Sequence, residues 1–236
     1  MTRPNHLVVV TGTSTDVGKT WISERVLGTA RAAGLHVGAR KPAQSFDAGE
    51  DAAGITDAQV LAAATGEDPL VVCPADRWYA VAMAPPMAAD RLGRTAPSID
   101  ELAHEIMWPA APIVELGLVE TAGGVRSPLA TDGDAGDLID RLRPDTVVLV
   151  ADAGLGAINA VLLSVEALGP CVTAAGTAAD GPGSGATLLV VLNRFDPADD
   201  LHARNRTWLE DHRGIATFDA AQLIEHLVDQ ARRARR

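Results

Sequence analysis

Residues 12–20 read Gly-Thr-Ser-Thr-Asp-Val-Gly-Lys-Thr, directly after the apolar run Leu7-Val8-Val9-Val10. Strand, loop of Gly and small hydroxylated residues, then helix is the order that phosphate binding requires. The first N–H groups of a helix lack intrahelical partners and its N-terminal end is positive, so a phosphate can sit there. Lys19 is placed to reach the outer phosphates and the Thr20 hydroxyl to ligate Mg²⁺. The usual spelling of such a loop has Gly five residues before Gly18. Thr13 stands there and the nearest glycine is Gly12, so the loop is a variant.

Two more positions could join this chemistry. Lys41 precedes Pro42, which ends regular structure and leaves the lysine at a strand's C-terminal end, where open α/β sheets place ligands. Glu120 ends the run Ile113 to Glu120 and is followed by Thr-Ala-Gly-Gly. A carboxylate ending an apolar strand beside a phosphate loop is the Walker B arrangement for holding Mg²⁺, and Gly123-Gly124 permits close backbone approach to a ligand. Asp47, Glu50, Asp51 and Asp57 lie in or just after the loop that follows Lys41. Loop acids are ordinarily solvated charges, but this loop leaves from a candidate site, which favours a metal role for one of them.

The elements that must carry these residues follow from periodicity. Ile22, Val26, Leu27 and Ala30 recur at helical spacing with Gly34 as a stop, and His36 to Lys41 reads as a second strand, giving a right-handed parallel strand–helix–strand unit. Ala43 to Gly54 reads as a surface loop, Asp57 to Thr65 as a helix closed by Gly66, and Asp68 to Ala96, with its four prolines, as irregular. Trp78, Tyr79, Met83 and Met87 in that region are packing residues on this reading. Ser98 to Glu101 is a capping box opening a helix through about Met107. Thr146 to Val150 is a buried strand leading to a helix from about Ile158 to Leu168, which Asn159 could cap. Cys171 to Gly185 reads as a long flexible connection and Thr187 to Leu192 as the last core strand. Helical patterns around 204–212 and 220–233 complete the chain. The expected fold is α/β: one domain over residues 1–236, of the P-loop NTPase type, with a mostly parallel central sheet flanked by helices on both faces.

Several function classes lose support. The 236 residues carry a net charge of −11, which argues against binding nucleic acid or an anionic membrane. The basic end, Arg232 to Arg236, reads as a solvated helix terminus. Cys73 and Cys171 have neither disulfide-framework nor zinc spacing. No histidine pair stands at helical ligand spacing and there is no G-x-S-x-G. The N-terminus lacks the regions of a signal peptide, and Asp152, Glu166 and several glycines interrupt the apolar stretch 147–175, so a soluble cytoplasmic protein is expected.

Taken together, the loop 12–20, Lys41-Pro42-Ala43-Gln44-Ser45 and Val119-Glu120-Thr121-Ala122-Gly123-Gly124 resemble the dethiobiotin synthetase family, which shares the displaced glycine. Leu155 to Asn159 and the strand-end Asn193 resemble its later motifs, so the likeness extends from Leu7 to Arg194. The resemblance implies a homodimeric enzyme that uses MgATP and CO₂ to close a ureido ring across the two amines of 7,8-diaminononanoate, through a carbamate that ATP phosphorylates. By similarity, Thr20, Asp57 and Glu120 hold Mg²⁺, with Asp51 the rival to Asp57. Lys19 and the backbone of Asp16, Val17, Gly18, Thr20 and Trp21 hold the nucleotide phosphates, and Gly123 also belongs to the nucleotide site. Asn193 reads the base. Lys41 stabilises charge on the carbamate and the transferred phosphoryl group, Thr15 and Ser45 face the diamine, and Asn159 meets the substrate carboxylate across the dimer interface. Thr121 stands where the family has Gly, which puts a side chain where nucleotide or substrate would be crowded. Two other readings remain: a partition-type switch in which ATP controls dimerisation, and a divergent relative with another substrate. Partition-type loops carry an extra lysine early on, where this chain has Thr13-Ser14.

Overall fold

The N-terminal apolar run forms β1 (His6–Gly12), buried from Leu7 onward. Such a continuous apolar strand is the mark of a parallel sheet covered on both faces. The computed structural model of the chain describes residues 2–47, 55–169, 171–174 and 185–235. After β1 come α1 (Lys19–Ala32), β2 (Val37–Arg40), β3 (Gln44–Ser45), α2 (Asp57–Thr65), α3 (Pro69–Val72), β4 (Trp78–Tyr79), α4 (Pro85–Arg91) and α5 (Ile99–Glu105). The second half runs β5 (Leu116–Glu120), α6 (Ala135–Leu142), β6 (Thr146–Asp152), α7 (Ala157–Leu168), β7 (Val172–Ala174), β8 (Ala186–Asn193), α8 (Asp200–Arg213), β9 (Thr217–Phe218) and α9 (Ala220–Ala234).

The main sheet has the order β2-β5-β1-β6-β8, entirely parallel, with β7 and β9 each pairing part of the outer edge of β8. The chain leaves β1 toward one side for β2 and later crosses to the other side for β6. The C-terminal end of β1 therefore lies at the reversal of strand order where α/β sheets bind ligands. The expected β1–α1–β2 unit is parallel, but β2 is not the neighbour of β1: β5 lies between them, with Val10 opposite Glu120 and Arg40 opposite Val119. That insertion brings the ends of three strands together.

Successive residues of β1 point to opposite faces and seed two cores. Val8 and Val10 pack with Ile22, Leu27, Leu61, Leu223 and Leu227 from α1, α2 and α9. Leu7 and Val9 pack with Leu102, Leu138, Val161, Leu168 and Leu209 from α5, α6, α7 and α8. The α/β class with helices on both faces is thus the architecture observed.

Local differences from the sequence reading have identifiable causes. The loop after Lys41 is not all surface: Gln44 and Ser45 pair in parallel with Trp78 and Tyr79, and Ala43 and Gln44 are buried. Residues 48–54, with Glu50 and Asp51, lie outside the described residues. The stretch 68–96 is not irregular, because Pro69 and Pro85 stand at helix starts, where a missing N–H costs nothing. Within it Tyr79 is buried, but Met83 and Met87 are exposed and are not core residues. Asn159 does not cap α7; the N-cap is Gly156 and makes no side-chain cap bond. The Cys171 to Gly185 connection contains β7, and its residues 175–184 lie outside the described ones. Of the basic end, Arg235 ion-pairs with Glu115 at 2.6 Å rather than standing free. Among the described residues no helix is long and apolar enough to cross a membrane.

Candidate functional site

The phosphate-loop chemistry begins where β1 becomes α1. Gly18 is the N-cap, its φ of 95° is left-handed, and no side chain caps the helix. A Cβ on Gly18 would lie 2.0 Å from Asn193 Nδ2, so both backbone and space demand glycine. The first amide to bond a backbone carbonyl here is that of Ile22, on Gly18 O at 3.0 Å. The helix start thus presents uncapped donors, as an anion site requires. Lys19 is buried and donates from Nζ to Ser14 O at 2.9 Å, which holds the loop closed around its own ammonium. Burial, and next the neighbouring Lys41 charge, push Lys19 below the ordinary lysine pKa, against the opposing pull of Glu120, Asp57 and Asp16.

Lys41 continues from β2 and is only 2% exposed. Its Nζ lies 2.7 Å from Asp57 Oδ2 and 2.7 Å from Glu120 Oε1. Burial alone would lower its pKa; the two carboxylates overcome that and hold it above the ordinary lysine value. For Asp57, burial acts upward, but Lys41 first and then the Thr20 hydroxyl bring it below the usual aspartate range. Thr20 Oγ1 lies 2.9 Å from Asp57 Oδ1 and 2.8 Å from Glu120 Oε1, so its one proton serves two carboxylates. Two lysines and three oxygen donors therefore converge from the ends of β2 and β5 and the starts of α1 and α2.

The structure adds two residues that sequence reasoning missed. Ser23 Oγ lies 2.7 Å from Glu120 Oε2 and fixes the carboxylate from below. Its position three residues after Thr20, on the same helix face, was a signal that could have found it. Gln44 Oε1 accepts from the Ala58 amide at 3.0 Å, tying the start of α2, and with it Asp57, to β3. No local pattern announces that contact, because its partners are 14 residues apart across the segment 48–54.

These groups bound a cleft of about 520 Å³. Thr15, Asp16, Gly18, Lys19, Thr20, Trp21, Lys41, Ser45, Asp57 and Gly123 all line it. Val17 is buried beneath the loop, and Glu120, fully buried, forms the floor under Thr20 and Lys41. Gly123 has a φ of 71° and a Cβ there would meet Ser127 Oγ at 2.5 Å, so the turn after β5 also needs glycine. Asn193 is not in the cleft; it borders an adjoining cavity of about 370 Å³ with Trp21, Arg194 and Phe195. Asn159 is exposed on α7 and lines neither space. Thr121 does not crowd the cleft: its side chain is fully buried and donates to Thr11 Oγ1 at 3.1 Å, turned inward by the alternation of the strand end.

A hydroxyl beside two carboxylates is a hard-oxygen set suited to Mg²⁺, whose remaining positions are commonly filled by water and substrate phosphates. Thr20, Asp57 and Glu120 fit that role: their oxygens already share common hydrogen-bond partners. Among the described residues there is no cluster of three or more His, Cys, Asp or Glu that would form an all-protein metal cage.

A family model described as an AAA domain matches residues 6–216. An ATP-dependent dethiobiotin synthetase BioD from Haloferax mediterranei is 34% identical over 222 residues, covering 92% of this chain and 84% of its own. Another of that name, from Anaeromyxobacter sp. (strain Fw109-5), is 43% identical over 162 residues, covering 67% of this chain and 69% of its own. Among solved structures, a ParA family ATPase from Chlorobium tepidum TLS superposes with a TM-score of 0.50 at 12% identity, over 97% of this chain and 98% of that one. The signal recognition particle receptor FtsY from Elizabethkingia anophelis gives 0.51 at 13% identity, over 96% of this chain and 66% of that one. Both structural likenesses concern the fold alone.

Proposed function

From a chain that belongs to the dethiobiotin synthetase family, we infer an ATP-dependent ligase of biotin biosynthesis, one domain over residues 1–236, that closes the ureido ring of 7,8-diaminononanoate. The observation that carries this reading is the meeting of Lys19, Lys41, Thr20, Asp57 and Glu120 around one cleft, at the ends of β2 and β5 and the starts of α1 and α2. A partition-type ATPase shares the fold, but nothing at this site favours it over a ligase.

One amine of the substrate takes up CO₂ to give a carbamate. A carbamate oxygen then attacks the γ-phosphorus of ATP, ADP leaves, and the second amine displaces phosphate from the carbamic-phosphoric anhydride as the ring closes. The chain's contribution is positioning and charge, because phosphoryl transfer needs alignment and neutralisation more than covalent help. Lys19 and the uncapped amides at the start of α1 hold the phosphates. Lys41, kept cationic by its two carboxylates, faces the carbamate and the phosphoryl group in transit. Thr15 and Ser45, which both line the cleft, orient the diamine. Bound Mg²⁺, held by Thr20, Asp57 and Glu120, would neutralise charge on the β- and γ-phosphates. Asn193 borders the cavity beside Trp21 that suits the base, and Asn159 would serve the substrate carboxylate of a second copy in a homodimer.

The test is phosphate release by the purified protein. It should require ATP, Mg²⁺, the diamine and bicarbonate together. Equal hydrolysis of ATP without the diamine would overturn the ligase reading and favour a nucleotide switch.

A further inference from the structure

Two consecutive residues at the end of β8 hold two consecutive carbonyls of the phosphate loop. Asn193 Nδ2 donates to Val17 O at 2.9 Å, and Arg194 Nη2 donates to Asp16 O at 2.9 Å. The other arm of the guanidinium, Nη1, lies 2.7 Å from Asp152 Oδ2 at the end of β6. Asp152 is itself fixed, since it stands opposite Asn193 in the sheet register and accepts from the Gly154 amide at 2.8 Å.

In a trans peptide the carbonyl of one residue and the N–H of the next point in opposite directions. Pulling Asp16 O and Val17 O toward β8 therefore turns the Val17 and Gly18 amides away from it. A row of backbone amides turned to one side by alternating conformations is an anion-binding nest. The backbone at this junction is unusual as well: Asp16 and Arg194 both have a φ of 58°, left-handed values that non-glycine residues adopt at a cost when their surroundings hold them there.

We propose that Arg194 is a positioning residue for the phosphate cradle: its guanidinium braces the Asp16 carbonyl against Asp152 and so presets the loop amides for a polyphosphate. The planar fork of arginine suits this task, because one side chain must reach two acceptors on separate strand ends. The proposal rests on the nucleotide-binding reading above and goes beyond it, since Arg194, which also lines the cleft and the adjoining cavity, is given a role through the loop backbone.

The experiment is calorimetric titration of the intact protein with ATP and, separately, with AMP, for wild type, Arg194→Ala and Arg194→Lys. Arg194 is 60% exposed at its side chain, so both variants should fold, and thermal melts check this. Arg194→Ala should weaken ATP about tenfold, the scale of one charge-assisted hydrogen bond, while AMP, which lacks the β- and γ-phosphates, changes less than about twofold. Arg194→Lys keeps the charge but has a single nitrogen, and should still lose at least about threefold for ATP. Recovery by lysine to less than that loss would make Arg194 a direct charge contact and overturn the brace. A proportional fall for AMP, or an ATP loss below threefold in the alanine variant, would overturn it as well. Wild-type protein that bound no ATP would remove the nucleotide reading itself, a failure distinct from these.

Discussion

Lys41 sets the energetics of the site. Its ammonium is almost wholly buried and is met at 2.7 Å by both Asp57 and Glu120. Lys41→Ala leaves two carboxylates facing each other with no cation between them. Turnover should fall at least about a hundredfold, the scale of losing one preorganised charge contact, and full activity would remove Lys41 from the mechanism. The same variant should melt at lower urea concentration, because the buried Glu120 loses its ion-pair partner and keeps only the Thr20 and Ser23 hydroxyls and the nearby Lys19 charge; Asp57 contributes less, being 43% exposed and screened by water. The signs of the pKa shifts give a pH dependence. Asp57 is depressed by Lys41, so its contribution to stability is present above the ordinary aspartate value and is lost as pH falls through its lowered folded value. Lys41 is raised, so its contribution is present below the ordinary lysine value and is lost as pH rises through its raised one. Lys19 is the opposite case: burial lowers it, so it loses its proton before Lys41 does. ATP affinity, measured calorimetrically from about pH 7 to 10, should therefore decline before ordinary lysines titrate near about 10.4. A flat profile across that range would refute the role given to the Lys19 charge.

At the scale of elements, the strand-to-helix turn depends on a single position. Gly18 combines a left-handed φ with the Asn193 amide 2.0 Å from where a Cβ would stand. Gly18→Ala should therefore displace Asn193 or distort the loop, weakening ATP binding at least about tenfold while far-UV circular dichroism stays near wild type. Unchanged ATP binding in that variant would mean that the loop is not the phosphate site. Elsewhere the elements follow local chemistry closely. Ser98 accepts from the Glu101 amide while Glu101 reaches back to the Ser98 amide, as its capping box requires. Pro69 and Pro85 show the limit of reading proline as a breaker: each begins a short helix, because at the first turn proline's fixed φ helps and its missing N–H is not needed.

At the scale of the whole molecule, the proposed homodimer is the property most open to measurement. On and beside α7, Leu155 is 94% exposed and Leu163 60% exposed, an apolar surface next to the Asn159 that the family resemblance places across an interface. Leu163→Glu should shift the protein toward monomer in sedimentation and raise the KM for the diamine more than it lowers kcat. A wild-type protein that is monomeric and fully active would remove Asn159 from the substrate site. The contrast between local and global information ends on the same scale. Sequence alone determined the main buried strands, several of the longer helices and the chemical types standing at the start of α1 and at the strand ends, including Lys19, Thr20, Lys41 and Glu120, because hydrophobic period and capping chemistry act over a few residues. Tertiary structure decided which of those ends meet. Inserting β5 between β1 and β2 set Glu120 against Lys41, the pairing of β3 with β4 let Gln44 anchor α2, and strand alternation turned Thr121 inward. Strand order is chosen by how helices cover both faces of the sheet, a global packing requirement that leaves no mark in the spacing of neighbouring residues.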